Sequence, residues 1–148
     1  MIKPIILYGD DILRKTSVPF FIGENLDDII KDLWCTLSSV PGVGLAGPQI
    51  GLNKQIFVIN LWDNFFKKVF INPKISNSFG ETVEMEEGCL SIPNRRGDVK
   101  RKENIFIEYY DENWNFHKKE FSGMISRVIQ HEYDHLNGIL WIDKINYF

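Results

Sequence analysis

Residues 123–138 read GMISRVIQHEYDHLNG, and this stretch predicts a helix that carries polar groups on an apolar inner face. Ser122 is the expected N-cap and Gly138 the expected stop, so the helix should run from about Gly123 to Asn137. Apolar side chains recur on its inner face at helical spacing: Met124, Ile125, Val128, Ile129 and Leu136. The pattern indicates a helix packed inside the protein.

The same helix contains the sequence HEYDH, which has the spacing of a metal site. His131 and His135 are four residues apart and lie on one face, so their two imidazoles can bind one ion, and Glu132 can reach the next position. A match this short also arises by chance on solvated helices. The apolar setting favours the metal site, because an unsatisfied buried polar group costs about 1–3 kcal/mol.

A third ligand has three side-chain candidates besides assorted carboxylates. Cys89 ends a strand-like run, whereas Cys35 lies in a predicted helix and is expected to be a small core residue. His117 belongs to a charged run and is expected at the surface. A set of Cys89, His131 and His135 leaves one coordination position open, which is typical of a catalytic site.

The rest of the chain predicts an α+β fold. A first helix is expected at Asn25–Val40 with Asn25 as its N-cap, and Gly42–Gly51 contains too many Gly and Pro residues for a regular element. The expected strands are Gln55–Leu61, Lys68–Asn72, Ile75–Met85, Asn104–Asp111 and Phe116–Phe121. Residues 1–148 should therefore form a single domain, with antiparallel-leaning strands around the central metal-binding helix and one further N-terminal helix.

The composition excludes several classes of protein. The chain has 148 residues, of which 44% are hydrophobic, so wholesale disorder is excluded. Its 17 Lys and Arg residues against 20 Asp and Glu residues give a net charge of -3, which disfavours a dedicated DNA-binding protein. It lacks a signal-like start and an apolar run long enough to span a membrane. We expect a cytoplasmic protein, or one in the equivalent organellar stroma or matrix if the source is a eukaryote, and, by default, a monomer.

Three short motifs occur in order along the chain: GVGLAGPQ at 42–49, EGCLS at 87–91 and QHEYDHLNG at 130–138. Together with their flanks they resemble the peptide deformylase family over nearly the whole chain. The resemblance implies a metal-dependent hydrolase that removes the formyl group from N-formylmethionyl nascent polypeptides and releases formate.

The resemblance also implies a role for each motif. The Cys/His/His set would hold the ion, and water bound by that ion would attack the formyl carbon. Glu132 would act as general base and then as general acid. Gln49 and the backbone N–H of Leu90 would stabilise the oxyanion.

The peptide itself needs a binding surface. Gly42 and Gly44 would let the backbone approach an extended peptide, which could pair there like an added strand. Three apolar residues near the motifs are the expected walls of a methionine pocket, with ordinary core packing as the alternative: Met85, Met124 and Val128. Arg96 is expected to reach the peptide further along, and Arg101 to be a structural ion-pair partner.

Some positions depart from the family pattern. Gly47 stands where a second alanine is usual, which questions the rigidity of the loop, and Pro41 precedes the first motif. The chain ends at Phe148, so the C-terminal helix that docks many bacterial members on the ribosome is not expected, and any ribosome contact would be transient.

The ligand types suit several divalent ions. Zn²⁺ is the general expectation for one cysteine and two histidines, and Ni²⁺ or Co²⁺ would also bind. The resemblance favours Fe²⁺ in the cell, with Zn²⁺ or Ni²⁺ able to substitute.

Two other functions are compatible with parts of the pattern. A small zinc metallopeptidase would share H-E-x-x-H, although its third ligand is expected downstream of the helix. A non-catalytic peptide-binding module or inactive relative would be expected to have lost a ligand or Glu132, and all of these residues are present.

Overall fold

The computed structural model describes residues 1–145 and shows an α+β fold, as predicted. The elements are α1 (Asp27–Ser38), β1 (Gly44–Ala46), β2 (Ile56–Leu61), β3 (Phe66–Cys89), β4 (Ile92–Tyr110), β5 (Phe116–Ser122) and α2 (Gly123–His135). Short 3₁₀ helices span Asp11–Arg14, Gly47–Ile50 and Trp141–Lys144. The five strands form one antiparallel sheet in the order β1-β2-β3-β4-β5.

The sheet separates two hydrophobic clusters. The side chains of β2 point alternately into the two clusters, because successive side chains of a strand lie on opposite faces of the sheet. Ile56 and Val58 pack with Leu33 of α1, whereas Phe57 and Ile59 belong to the cluster that includes α2. The two helices therefore cover opposite faces of the sheet, and α2 lies among the strands as predicted.

The predicted helix limits are right in part. Helix α1 is shorter than expected at both ends, and Asn25 lies outside it, where its Oδ1 accepts from the N–H of Asp27 at 3.0 Å. Helix α2 begins directly after Ser122 and ends at His135. Gly138 follows with φ +71°, a left-handed conformation that glycine adopts at little cost.

The strands are longer and more continuous than predicted. Two expected strands form the single strand β3, because a shift in register between Ile71 and Lys74 accommodates Asn72 and Pro73. Strand β4 likewise begins at Ile92, twelve positions before its expected start at Asn104. The long β3–β4 hairpin carries residues 87–91 at its closed end.

The prediction that residues 42–51 contain no regular element is wrong. Gly44–Ala46 forms β1, which pairs with β2 from Gly44 opposite Ile59 to Ala46 opposite Phe57. All three residues of β1 are buried. Tertiary pairing with β2 outweighs the low strand propensity of this glycine-containing segment.

Among the helices of the described chain, 1–145, none has both the length and the apolar character needed to cross a membrane.

Candidate active site

Cys89, His131 and His135 come together where the end of β3 meets α2. One ligand atom from each of the three lies within 4.8 Å of the other two. The Sγ of Cys89 is 3.4 Å from the Nε2 of His135. Helical spacing brings the two imidazoles together, and the hairpin brings the thiol to them.

These donors fit a divalent metal ion. The Nδ1 of His131 is 2.9 Å from Glu87, so its Nε2 faces the cluster, 4.0 Å from Oε2 of Glu132. A carboxylate on the outer nitrogen of a metal-binding histidine is the usual arrangement in metalloproteins. The Oε1 of Glu132 is buried without a hydrogen-bond partner in residues 1–145, which leaves it available to a bound molecule.

Burial governs the electrostatics of the α2 side chains. It raises the pKa of Glu132 to about 7, with His131 opposing the rise and Glu87 adding to it. Burial also holds the pKa of His135 well below its ordinary value. For His131 burial lowers the pKa, but hydrogen bonds with Cys89 and Glu87 outweigh this and raise it to about 10.

Glu87 is the centre of a buried ion-pair network that the sequence analysis missed. Arg101 donates to both of its oxygens, from Nε at 2.6 Å and from Nη2 at 2.9 Å, and Arg127 donates to Oε2 at 2.5 Å. Burial raises the pKa of Glu87, but His131 and Arg101 outweigh burial and lower it to about 2. Arg101 also donates to Asp134 at 2.9 Å, so its predicted ion-pairing is confirmed.

Gln49 is buried in the wall of the site, and its amide is fixed at both ends. Its Oε1 accepts from the N–H of Ala46 at 3.0 Å, and its Nε2 donates to Oγ of Ser91 at 3.1 Å. The N-terminal segment supports both partners, because the N–H groups of Ile6 and Tyr8 donate to the carbonyls of Gln49 and Ser91 at 2.8 Å each. Ser91 closes the EGCLS motif, but nothing in the sequence pattern indicates this contact with Gln49.

Gly47 packs closely against the backbone of residues 52 and 54. A Cβ at this position would lie 2.9 Å from the carbonyl oxygens of Leu52 and Lys54. The segment that follows Gln49 therefore packs directly onto residue 47. Without a side chain, residue 47 can make this close contact.

A cavity of about 600 Å³ opens onto the cluster. Eleven of the predicted site residues line it: Gly42, Gly44, Gln49, Met85, Cys89, Leu90, Arg96, Met124, Val128, His131 and Glu132. His135 is 1% exposed and lies outside the lining. The cavity thus joins the candidate metal ligands to the segments predicted to bind a peptide.

The three residues predicted to form the pocket walls differ in how exposed their side chains are. Val128 is 8% exposed, whereas Met85 and Met124 are 37% and 38% exposed. The expectation that Met124 belongs to the buried face of α2 is therefore wrong, because it lies at the rim of the cavity. Arg96 lies at the mouth, with its Nε 2.5 Å from Glu86.

The two rejected ligand candidates lie elsewhere. The Nε2 of His117 is 2.8 Å from Asp111, and its ring stacks on Tyr109 with centroids 5.1 Å apart. Cys35 is a free, half-buried cysteine on α1, less buried than the expected core residue.

Comparison with known proteins identifies the family. A sequence profile of the polypeptide deformylases matches residues 2–148. The chain belongs to the polypeptide deformylase family. It is 49% identical to the peptide deformylase of Karelsulcia muelleri (strain GWSS), over 98% of this chain and 79% of the relative.

Solved deformylase structures share the fold. The Thermotoga maritima peptide deformylase superposes with a TM-score of 0.93 at 37% identity, covering 99% of both chains. The class I type b deformylase of Acinetobacter baumannii, solved with Met-Ala-Ser bound, gives 0.92 at 30% identity, covering 98% of this chain and 99% of that one. This deformylase is thus an enzyme that removes the N-formyl group from nascent peptides, and the family's dependence on metal fits the Cys/His/His cluster.

Proposed function

We propose that the deformylase acts on N-formylmethionyl nascent polypeptides, with Cys89, His131 and His135 holding one divalent ion. The observation that carries this proposal is the convergence of the three ligand atoms within 4.8 Å beside Glu132, in the wall of a peptide-sized cavity. A divalent ion bound there would supply Lewis-acid activation of water and of the formyl oxygen. The reaction forms a bond from water oxygen to the formyl carbon, breaks the C–N bond, and yields formate and a free amine.

Glu132 moves the proton in this proposal. Its carboxylate takes a proton from the attacking water and delivers it to the departing amine nitrogen. A pKa raised to about 7 by burial suits a group that must both accept and release a proton near neutral pH. The unpaired Oε1 supports the same assignment, because no protein donor competes for it within residues 1–145.

Gln49 and Leu90 stabilise the negative charge that develops on the formyl oxygen. The Nε2 of Gln49 is held 3.1 Å from Ser91, and Leu90 lies at the turn of the β3–β4 hairpin, where its N–H faces the same cavity in our proposal. Each donor of this kind lowers a barrier by about 2.7–4 kcal/mol. Pre-set donors are effective because they need no reorganisation during the reaction.

The peptide backbone binds along Gly42 and Gly44. The Met-Ala-Ser bound to the Acinetobacter baumannii relative supports binding of a peptide that begins with methionine. Val128 forms the wall of the methionine pocket, with Met85 and Met124 at its rim. Arg96 meets the peptide further along at the mouth of the cavity.

We propose Fe²⁺ as the ion in the cell, with Zn²⁺ or Ni²⁺ able to substitute. One thiolate and two imidazoles suit all three ions, so availability and not affinity selects the ion. Metal analysis of protein purified without air, followed by reloading with each ion, tests the assignment. Fe²⁺ should be recovered from the cell and should give the highest turnover.

We also propose that residues 1–148 form one catalytic domain, which works as a cytoplasmic monomer and contacts the ribosome only transiently. The substrate is a nascent polypeptide, and this supports the cytoplasmic location because nascent polypeptides occur where ribosomes translate. Sedimentation of the purified protein and its co-sedimentation with ribosomes measure the two associations.

Formate release from a short N-formylmethionyl peptide tests the function directly. Release should occur with the Fe²⁺- or Ni²⁺-loaded enzyme and stop with chelator. Glu132→Ala should keep its metal and lose turnover by about 10²-fold or more. Equal metal content with unchanged turnover would exclude Glu132 as the base, and cleavage of an unformylated peptide would instead favour a metallopeptidase.

A further inference from the structure

The Arg127 side chain connects three separate parts of the site. It lies on α2 one turn before His131, and its Nη1 is 2.5 Å from Oε2 of Glu87 and 3.0 Å from the carbonyl oxygen of Val99. Its Nη2 is 2.6 Å from the carbonyl oxygen of Val83. A guanidinium has five N–H donors in a fixed plane, so it can hold all three acceptors at once.

These contacts fix α2 against the β3–β4 hairpin. Val83 belongs to β3 and Val99 to β4, so the guanidinium bonds to both strands of the hairpin. The cavity lies between the same two elements, with Met85 on the hairpin side and Val128 on the α2 side. Arg127 therefore bonds the two walls of the pocket to each other.

Burial places Arg127 at the inner end of that pocket. Arg127 is 6% exposed, although it lines the cavity, whereas Met85 and Met124 are 37% and 38% exposed. The charged end bonds to Glu87 and the two carbonyls, which leaves the methylene stem to face an entering side chain. An unbranched side chain that entered between the two methionines would meet this stem.

The same guanidinium holds the carboxylate that supports a metal ligand. Oε2 of Glu87 accepts from Arg127 and from Nε of Arg101, while Oε1 accepts from Nη2 of Arg101 and lies 2.9 Å from Nδ1 of His131. Arg101 approaches from β4 and Arg127 from α2. Two guanidinium groups from different elements prevent the carboxylate from turning away from His131.

We propose that Arg127 determines the depth of the pocket for the first side chain of the substrate and positions Glu87 against His131. The pocket half of this inference rests on the proposed function, since it takes the first side chain to be methionine. The positioning half concerns retention of the metal and does not depend on the substrate. Arg127 acts through its neighbours and touches no reacting atom.

Substrate length tests the pocket half. Formyl peptides that begin with norleucine, which is close to methionine in shape, and with homologues one and two methylenes longer would be compared by kcat/KM. Arg127→Met, which is uncharged and shorter than Arg, should raise the relative kcat/KM for the longest homologue about tenfold. Arg127→Lys keeps the charge and a long stem, so it should stay close to the wild-type preference.

Metal retention tests the positioning half without any measurement of turnover. The visible absorbance of Co²⁺-loaded protein would be followed after addition of excess chelator. Arg127→Met should lose Co²⁺ about tenfold faster than wild type, because outer partners of metal ligands carry effects of 10–100-fold. Arg127→Lys should lose Co²⁺ at a rate between those of the wild type and Arg127→Met, since its single ammonium can still pair with Glu87.

Arg14→Gln is the matched control, because it also removes a bond from arginine to a carboxylate. Arg14 pairs with Asp143, outside the cavity, with Nη1 2.6 Å from Oδ2. This control should change neither the length preference nor the loss of Co²⁺. If Arg127→Met does not fold, Arg127→Gln replaces it, and thermal unfolding identifies the folded variants.

Folded Arg127 variants with unchanged length preference and unchanged loss of Co²⁺ would overturn the inference. A failure of the proposed function looks different: wild-type, metal-loaded protein would release no formate from any formyl peptide. The two failures can therefore be told apart within one set of experiments.

Discussion

Gly44 lies directly against the carboxylate of Glu132. A Cβ at residue 44 would be 2.6 Å from Oε2 and 2.9 Å from Cγ of Glu132, well inside van der Waals contact. Gly44 begins β1, and its backbone is held in place by pairing with Ile59 of β2. The missing side chain at this position is therefore what allows the carboxylate to occupy its place in the site.

Gly44→Ala should inactivate the enzyme without unfolding it. The added methyl group displaces Glu132, and a shift of about 1 Å in a catalytic group costs about 100-fold in rate. Formate release and thermal unfolding would be measured together. Gly23→Ala is the control, because its Cβ would meet no atom within 4 Å. Its φ of +88° should cost about 1 kcal/mol of stability and leave turnover intact.

Gln49→Glu should lower kcat by about 10²–10³-fold and change KM little. The variant keeps an oxygen that accepts from Ala46 but loses the N–H donor that faces the formyl oxygen in our proposal. Ser91→Ala removes the hydroxyl that orients this amide but keeps the N–H donor of Gln49. It should therefore lower kcat by less than Gln49→Glu does. Equal losses in the two variants would show that packing around residue 49, and not the donor, sets the rate.

Tyr109 should make the protein sensitive to alkaline pH. Burial raises the pKa of this tyrosine to about 12, and Asp111 and Glu112 add to the rise. Because the folded state holds the phenolic proton more tightly than the unfolded chain, the stability from this group is complete below about pH 10 and is lost as pH rises through 12.

Unfolding by urea at several pH values between 9 and 12 would measure this loss. Tyr109→Phe should reduce the loss, whereas Tyr8→Phe, at an exposed position, should leave it unchanged. An identical pH dependence in the wild type and Tyr109→Phe would contradict the prediction.

Leu33→Ala should destabilise the protein and leave the chemistry unchanged. Leu33 is fully buried in the cluster between α1 and the sheet, on the face opposite α2. Loss of its side chain should cost about 2–5 kcal/mol in the free energy of unfolding. kcat/KM at a temperature where the variant is folded should match the wild type, and a large loss there would show coupling through the sheet.

The candidate ligands could be predicted because their signal is local. His131 and His135 are four residues apart on a strongly periodic helix, and the structure brings Cys89 to them. Glu87 and Arg127 were not predicted as partners, because they are 40 residues apart in sequence and nothing in a linear pattern pairs one carboxylate with one guanidinium.

Secondary structure was predicted least well where pairing overrides local preference. Asn72 and Pro73 indicate a break, yet β3 continues through them because the register shifts there. Met124 has the helical spacing of a core residue, but its side of α2 faces the cavity. Periodicity identifies a common face of the helix and cannot show whether protein or an open pocket covers it.

Strand β1 forms one edge of the sheet, and its backbone leads into the cavity at residues 42–44. Exposed edges commonly recruit further strands from other molecules and so promote aggregation. Here the edge is three buried residues long and recessed beside α2. The short, buried edge therefore gives a strand from a second copy little backbone to pair with, and under our proposal the substrate peptide uses the backbone at the same edge.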